Sequence, residues 1–399
     1  MKLGDICTIV SGSTPKSNVP EYWDGNIKWI TPAELAEDSY FINDSVRHIT
    51  ELGVAKTGLK PFPKGTVILS SRAPIGKTAI AGCEMYCNQG FKNLICSDKI
   101  NPRYLYWFLT CNTEYLNSLG RGATFKEISK EIVANIEIPL PSVEQQISIA
   151  EKFEKLSELI ALRKEQLAKL DMLVKSRFIE LFGDPVKNDM GWECKTLNDV
   201  CDGIGDGLHG TPEYDDDGDY PFINGNNLID GEVVITPATK MVSEDTYKKH
   251  LIDISPNAIL ISINGTLGKL AFYNGEQVML GKSACYCNLK PSVNKVFVYG
   301  VMKSDAFAEF LDNSSTKSTI KNVGLKAIRE YKLILPPTEL QGQFAAFVEQ
   351  TDKSKLAIQQ SLDKLELLKK SLMRNILGNP SGEANALSIH LLYTFVIFF

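Results

Sequence analysis

The chain is poor in histidine: the four present, His48, His209, His250 and His390, fall in no metal-ligand pattern. Its nine cysteines contain no CxxC, the close pairs being Cys83/Cys87 and Cys285/Cys287. No metal is expected from such spacing. An odd number of irregularly placed thiols reads as buried and reduced, not as a disulfide framework. A membrane-length apolar run is missing too. The longest, Leu387 to Phe399, has 13 residues, against roughly 20 for a bilayer span. Met1-Lys2-Leu3-Gly4-Asp5 leads into a charged, glycine-bearing stretch without an apolar signal core, so no secretory signal and no membrane partner are expected, and the cytoplasm is the expected location. Excess positive charge is also lacking. With 43 basic and 48 acidic residues the net charge is −5, which argues against a general polyanion binder, because nonspecific nucleic-acid affinity comes from clustered Lys and Arg.

Catalytic signatures are missing as well. Gly76-Lys77-Thr78 and Gly281-Lys282-Ser283 end like a P-loop, but Ser71 and Glu276 stand where its first glycine is required. Gly205-Asp206-Gly207-Leu208-His209-Gly210 spells GxGxxG yet precedes an acidic, proline-containing loop where the dinucleotide motif needs a helix. There is no Asn-Pro-Pro-aromatic motif for base methylation and no carboxylate cluster of a nuclease. No catalytic residue is expected. Asp215-Asp216-Asp217-Gly218-Asp219 lacks the alternation and terminal Glu of an EF-hand loop and reads as solvated.

What is present fits a soluble globular composition, with 44% hydrophobic and 23% charged residues. A length of 399 residues implies roughly two to four domains. Residues 1–195 carry 24 basic and 24 acidic residues and 196–399 carry 19 and 24, so the acidic excess lies in the second half. Eight of those acids fall between Asp199 and Asp219, with no Lys or Arg among them.

The chain repeats itself. Leu140-Pro141-Ser142-Val143-Glu144-Gln145-Gln146 aligns with Leu335-Pro336-Pro337-Thr338-Glu339-Leu340-Gln341 at an offset of 195. That register then pairs Leu167 with Leu362, Leu170 with Leu365, Leu173 with Leu368, Ser176 with Ser371, and Gly183-Asp184-Pro185 with Gly378-Asn379-Pro380. Upstream the offset drifts between 192 and 197, as in Leu3-Gly4-Asp5-Ile6 against Leu197-Asn198-Asp199-Val200, Thr14-Pro15 against Thr211-Pro212, and Gly76-Lys77 against Gly268-Lys269. Each half is a variable module followed by a constant segment.

The constant segment has a helix's own signals: Ser142 after Pro141 opens it, Glu144 and Gln145 fill its first turn, and Gly183 with Pro185 closes it. Phe153, Leu156, Ile160, Arg163, Leu167, Leu170, Val174, Arg177 and Leu181 alternate steps of three and four, a coiled-coil seam with two polar interruptions. The second copy reads Val348, Thr351, Lys355, Ile358, Leu362, Leu365, Lys369, Leu372 and Ile376, with three polar positions. A helix of this length, about 60 Å at 1.5 Å per residue, cannot bury its stripe alone. Its natural partner is the other copy. Antiparallel pairing would give pseudo-twofold symmetry and put one module at each end of a rod.

The expected fold class is therefore α+β: two similar mixed α/β domains separated by two long helices that form an antiparallel coiled coil. The expected segments are a first module over 1–141, a first spacer helix over 142–183, a second module over 184–336, a second spacer helix over 337–378 and a tail over 379–399. Within the modules, Val67-Ile68-Leu69 and Ile259-Leu260-Ile261 are buried-strand candidates, each followed by a glycine-containing turn and a second apolar run, Thr78-Ala79-Ile80 or Leu270-Ala271-Phe272. Tyr104 to Leu109 and Phe297 to Phe310 look helical. The Tyr104 to Phe108 aromatics read as core, and Gly76 and Gly268 as hairpin-turn formers.

Over residues 1 to about 380 this order resembles the DNA sequence-specificity subunit of Type I restriction-modification systems. Two modules each open like Leu3-Gly4-Asp5-Ile6 and Gly12-Ser13-Thr14-Pro15, and each is closed by the Leu-Pro-x-x-Glu-x-Gln helix start. The resemblance implies that each module reads one half of a split double-stranded DNA target, while the coiled coil spaces the modules and docks methyltransferase subunits. It further implies that no cofactor is bound by this chain, and that S-adenosylmethionine, ATP and Mg belong to the partner methyltransferase and helicase-nuclease restriction subunits. Residues 381–399 fall outside it, and their apolar end reads as frame-shifted or recombined.

Candidate DNA contacts are turn residues that could meet phosphates or base edges: Lys16, Arg72, Lys77, Lys92, Arg121 and Lys126 in the first module, and Lys269, Lys282, Lys317, Lys321 and Lys326 in the second. Leu156, Ile160, Leu167, Leu170, Val174 and Leu181 with Ile358, Leu362, Leu365, Leu372 and Ile376 are the candidate seam and partner-docking residues. The competing reading is a two-module coiled-coil scaffold that binds proteins or glycans, favoured by the acidic charge.

Overall fold

A computed structural model describes residues 1–36, 38–72, 74–122 and 126–377. Gly378-Asn379-Pro380 and the apolar tail lie outside the described residues. The chain forms two compact units, one of residues 1–164 with 360 onward, the other Glu165–Gln359. Each boundary falls inside a long helix, so each unit joins one module to parts of both helices.

The modules share one plan. In the first, strands Cys7–Val10, Asn93–Cys96, Val67–Leu69, Thr78–Ala81 and Phe41–Ile42 lie side by side in that order. In the second the order is Cys201–Asp206, Ala284–Leu289, Ala258–Ser262 and Leu270–Phe272. A smaller sheet repeats as well: Arg47–Ile49, Trp23–Ile30 and Tyr86–Cys87 correspond to Lys240–Val242, Tyr220–Ile223 and Met279–Leu280, and in both the last pair is parallel. Val67-Ile68-Leu69 and Ile259-Leu260-Ile261 are fully buried strands, as their unbroken apolar runs imply. Gly76 and Gly268 turn the following hairpins at φ of 97° and 75°, where a glycine avoids Cβ strain.

Tyr104 to Leu109 falls in the helix Pro102–Cys111 and is buried throughout. Phe297 to Phe310 is not one helix. It breaks into Lys295–Met302 and Asp305–Ser314, because Ser304 caps the second through Phe307 N–H. All nine cysteines are free, but they are not uniformly buried: Cys194 is exposed, whereas burial pushes the Cys87 thiol up to about 12.

The first long helix runs Val143–Phe182, opened by a reciprocal cap in which Gln145 N–H donates to Ser142 Oγ and Ser142 N–H to Gln145 Oε1. Gly183 follows at φ 72°. The second long helix runs Thr338–Leu372 and continues as a π-helical turn over Met373–Leu377.

Within the first unit the helices run antiparallel. Ile149 and Phe153 share a core with Leu372 and Ile376, while further along Lys164 pairs with Glu366 at 2.8 Å. The second unit has the same sense: Phe178 packs on Phe344, and Asp171 meets Lys355 at 2.7 Å. Burial works against the Lys355 charge, but Asp171 and Asp352 outweigh it and hold its pKa above the ordinary value. Leu156, Ile160, Leu362 and Ile376 are buried; Leu167, Leu170, Val174, Leu181, Ile358, Leu365 and Leu372 are half-buried.

A buried glutamine ties each module to its helix. Gln146 Oε1 accepts from Asn101 N–H at 2.8 Å, and its Nε2 donates to Lys99 O and Pro141 O. Gln341 repeats this with Asn294 N–H and Pro336 O. Asn101 and Asn294 are themselves the caps of the helices Pro102–Cys111 and Lys295–Met302. Trp107 then stacks on Phe153 in the first unit, and in the second Phe297 stacks on Phe178 and meets Phe182 edge-to-face. Gln146→Leu would leave Asn101 N–H, Lys99 O and Pro141 O without their buried partner, so we predict a loss of about 2 to 4 kcal/mol in urea unfolding. A loss under about 0.5 kcal/mol would show that the amide is dispensable.

Candidate nucleic-acid interface

Each module has a cleft at the same place in its fold. The first, of about 460 Å³, is lined by Thr31, Pro32, Arg72, Asn88, Gly90 and Glu127, among others. The second, of about 720 Å³, includes Asn224, Asn226, Asn264, Thr266, Lys282 and Lys321. One wall is a short capped turn, in which Glu34 Oε1 accepts Thr31 N–H at 2.7 Å and Asn227 Oδ1 accepts Asn224 N–H at 3.0 Å.

The hairpin beside each cleft is built by one serine. Ser70 Oγ accepts Lys77 N–H and donates to Pro74 O; Ser262 Oγ accepts Lys269 N–H and donates to Thr266 O. Ser70 O takes Gly76 N–H as Ser262 O takes Gly268 N–H. The next residue, Ser71 or Ile263, donates to Gly90 O or Ser283 O and accepts from Ile128 N–H or Val323 N–H. The backbone then bridges Arg72 to Glu127 in one module and Asn264 to Asn322 in the other. Gly12 and Gly207 sit where a Cβ would come within 1.8 and 2.0 Å of the Cys87 and Leu280 carbonyl oxygens. That steric need accounts for the middle glycine of the GxGxxG string. The strand Cys201–Asp206 runs into it, and no helix follows before Gly225.

Several nominated cations gather around Glu127. Arg72 Nη1 lies 3.6 Å from it, Lys92 Nζ lies 3.0 Å away, and Arg121 exchanges both backbone hydrogen bonds with it. Lys126 is its exposed neighbour. Lys92 is 7% exposed and also bonds Ser71 Oγ. Its ammonium is turned inward onto Glu127 and Ser71. Lys77 Nζ is tied to Leu35 O at 2.5 Å. Lys16 is exposed, with its carbonyl holding the Trp23 indole.

In the second module Lys282 and Lys321 line the cleft, and Lys321 is paired with Asp312. Lys317 is exposed on the same loop. Lys269 is half-buried, and Lys326 pairs with Glu330 along its own helix. The clefts also hold Asn88, Asn224, Asn226 and Asn264, the last paired with Asn322, uncharged residues whose amides carry both a donor and an acceptor. Their positions in the repeat were the available signal. Among the described residues no group of three or more His, Cys, Asp or Glu could hold a metal, and no helix is long and apolar enough to cross a membrane.

Repeated sheets, long helices paired within each unit and equivalent clefts define a two-module protein. The sequence profile of the Type I restriction modification DNA specificity domain matches residues 1–172 and 190–368. The chain belongs to that family. It is 33% identical over 302 residues to the Type I restriction enzyme MjaIX specificity subunit of Methanocaldococcus jannaschii, covering 71% of this chain. That match spans 65% of the relative's own length, just under two thirds. The EcoprrI specificity subunit of Escherichia coli is 23% identical over 395 residues, covering 94% of this chain and 92% of that one. A crystal structure of the Type I system S subunit from M. genitalium shares the fold at a TM-score of 0.56 and 15% identity, over 94% of both chains. A structure described as the basis of complex assembly and conformational transition of the Type I system aligns at 0.62 and 19% identity, over 94% of this chain and 96% of that one.

Lys92→Met would take from Glu127 the nearer of its two cations, leaving Arg72 at 3.6 Å, at an expected cost of about 1 to 3 kcal/mol in denaturant unfolding. The double variant Lys92→Met/Glu127→Gln should recover at least half of that loss. Equal destabilisation of both variants would show that the pair is not coupled.

Proposed function

We propose that this chain is the DNA-reading, noncatalytic subunit of a Type I restriction-modification complex, each module recognising one half of a two-part double-stranded target. The observation that carries the reading is the pair of equivalent clefts. One hydrogen-bonded frame presents different polar side chains in the two modules, as expected if the frame docks on DNA and the side chains choose the bases. The long helices are the proposed docking surface for methyltransferase subunits. Methylation and cleavage, with S-adenosylmethionine, ATP and Mg, would reside on the methyltransferase and restriction subunits.

Module exchange tests the reading. Replacing residues 1–141 with the corresponding module of another family member, in the intact complex, should change one half of the methylated motif and leave the other half as it was. Long-read methylation mapping reads both halves at once. A change in both halves would show that the modules do not read independently.

A further inference from the structure

The equivalent backbone positions of the two clefts carry different chemistry, and the change is concerted. Where the first module has Arg72, Glu127 and Lys92, the second has Asn264, Asn322 and Cys285: the first two pairs follow from the matching bridges, and the third from the pairing of Leu69 O with Lys92 N–H and of Ile261 with Cys285. All three positions change together while the serine-built hairpin around them stays the same. A buried lysine is costly unless it is paired. Lys92 meets that cost with Glu127, and Glu127 in turn reaches Arg72 at the cleft wall. Once the arginine and carboxylate are absent, as in the second module, the buried cation is absent too, and Cys285 is fully buried in its place.

The chemistry at each cleft wall is complementary to a different base. Arg72 lines the cleft with its side chain about one third exposed, and Glu127 meets it at Nη1 from one side. Two parallel donors match the O6 and N7 acceptors of guanine. Asn264 Nδ2 donates to Asn322 Oδ1 at 3.2 Å, and among the described residues its side chain makes no other hydrogen bond. One donor and one acceptor then remain, the complement of adenine N7 and N6–H. We infer that this register position is the base-reading element of each module, with Arg72 reading a guanine in the first half-site and Asn264 an adenine in the second, and with Glu127, Lys92 and Asn322 as positioning residues. The inference rests on the DNA-recognition reading above and adds which residues discriminate and which bases they choose.

The test uses the intact methyltransferase complex and duplexes carrying its own methylated motif. Each guanine of the first module's half-site is replaced in turn by 7-deazaguanine, which lacks the N7 acceptor. One replacement should weaken wild-type binding roughly 10-fold or more, and Arg72→Gln should weaken binding of the unmodified duplex while becoming indifferent to that same replacement. A guanidinium that touched only phosphate would give a different result: Arg72→Gln would bind every sequence more weakly and keep the 7-deazaguanine sensitivity, which overturns the assignment. So would a first half-site without guanine. Asn264→Leu against 7-deazaadenine in the second half-site decides the same question whether or not Arg72→Gln still binds. A wild-type complex that recognises no two-part motif would instead defeat the DNA-recognition reading itself.

Discussion

The structure depends on the burial of one apolar stripe along each long helix. Forty consecutive helical residues can satisfy their backbone hydrogen bonds alone, but the stripe needs a partner of similar length. In the first unit Ile149 and Phe153 find Ile376 and Leu372, more than two hundred residues away in the chain. In the second, Phe178 and Phe182 find Phe344. The stripe is not uniform. Arg163 and Arg177, with Thr351, Lys355 and Lys369, interrupt it, and Lys355 is kept charged by Asp171 and Asp352. Such interruptions lower stability but restrict register, since an uninterrupted leucine seam tolerates slippage.

The buried glutamines make each helix an extension of its module. Gln146 and Gln341 bind the amide of the residue that caps the neighbouring module helix, so the start of the long helix and the start of the module helix are fixed to one another by the same side chain. The serine hairpins do the same for the clefts. Ser70 and Ser262 define a loop shape through two hydrogen bonds each, leaving the residues beyond them free to vary in chemistry without moving the backbone. On the proposed reading, a frame of this kind lets discrimination change by substitution at a few positions, since the side chains that pack the hairpin are not those that face the cleft.

The repeat and the helices were legible because both signals are local and periodic: an unbroken offset of 195 and alternating steps of three and four. The buried strands at Val67 and Ile259 were legible for a related reason, as short apolar runs before glycine turns. Phe178, Phe182 and Phe344 lay off the regular seam and escaped it, because the module's own helix, not the other long helix alone, covers them through Phe297. The division of Phe297 to Phe310 into two helices turned on a single serine cap. At the cleft, charge alone did not show how the side chains pair. Lys92 and Lys77 are spent on internal contacts, while Asn264 and Asn322, uncharged and unremarkable in sequence, come together only through sheet pairing across 58 residues. Side-chain pairing of that kind depends on tertiary register, which residue spacing does not encode.

The most direct measurement of the central claim is the methylation pattern of a host carrying the complete wild-type system. Two independent reading modules held by one helix scaffold predict a single motif in two specified parts separated by a gap of constant length and unspecified sequence. A continuous motif, or two parts at a variable gap, would contradict the account.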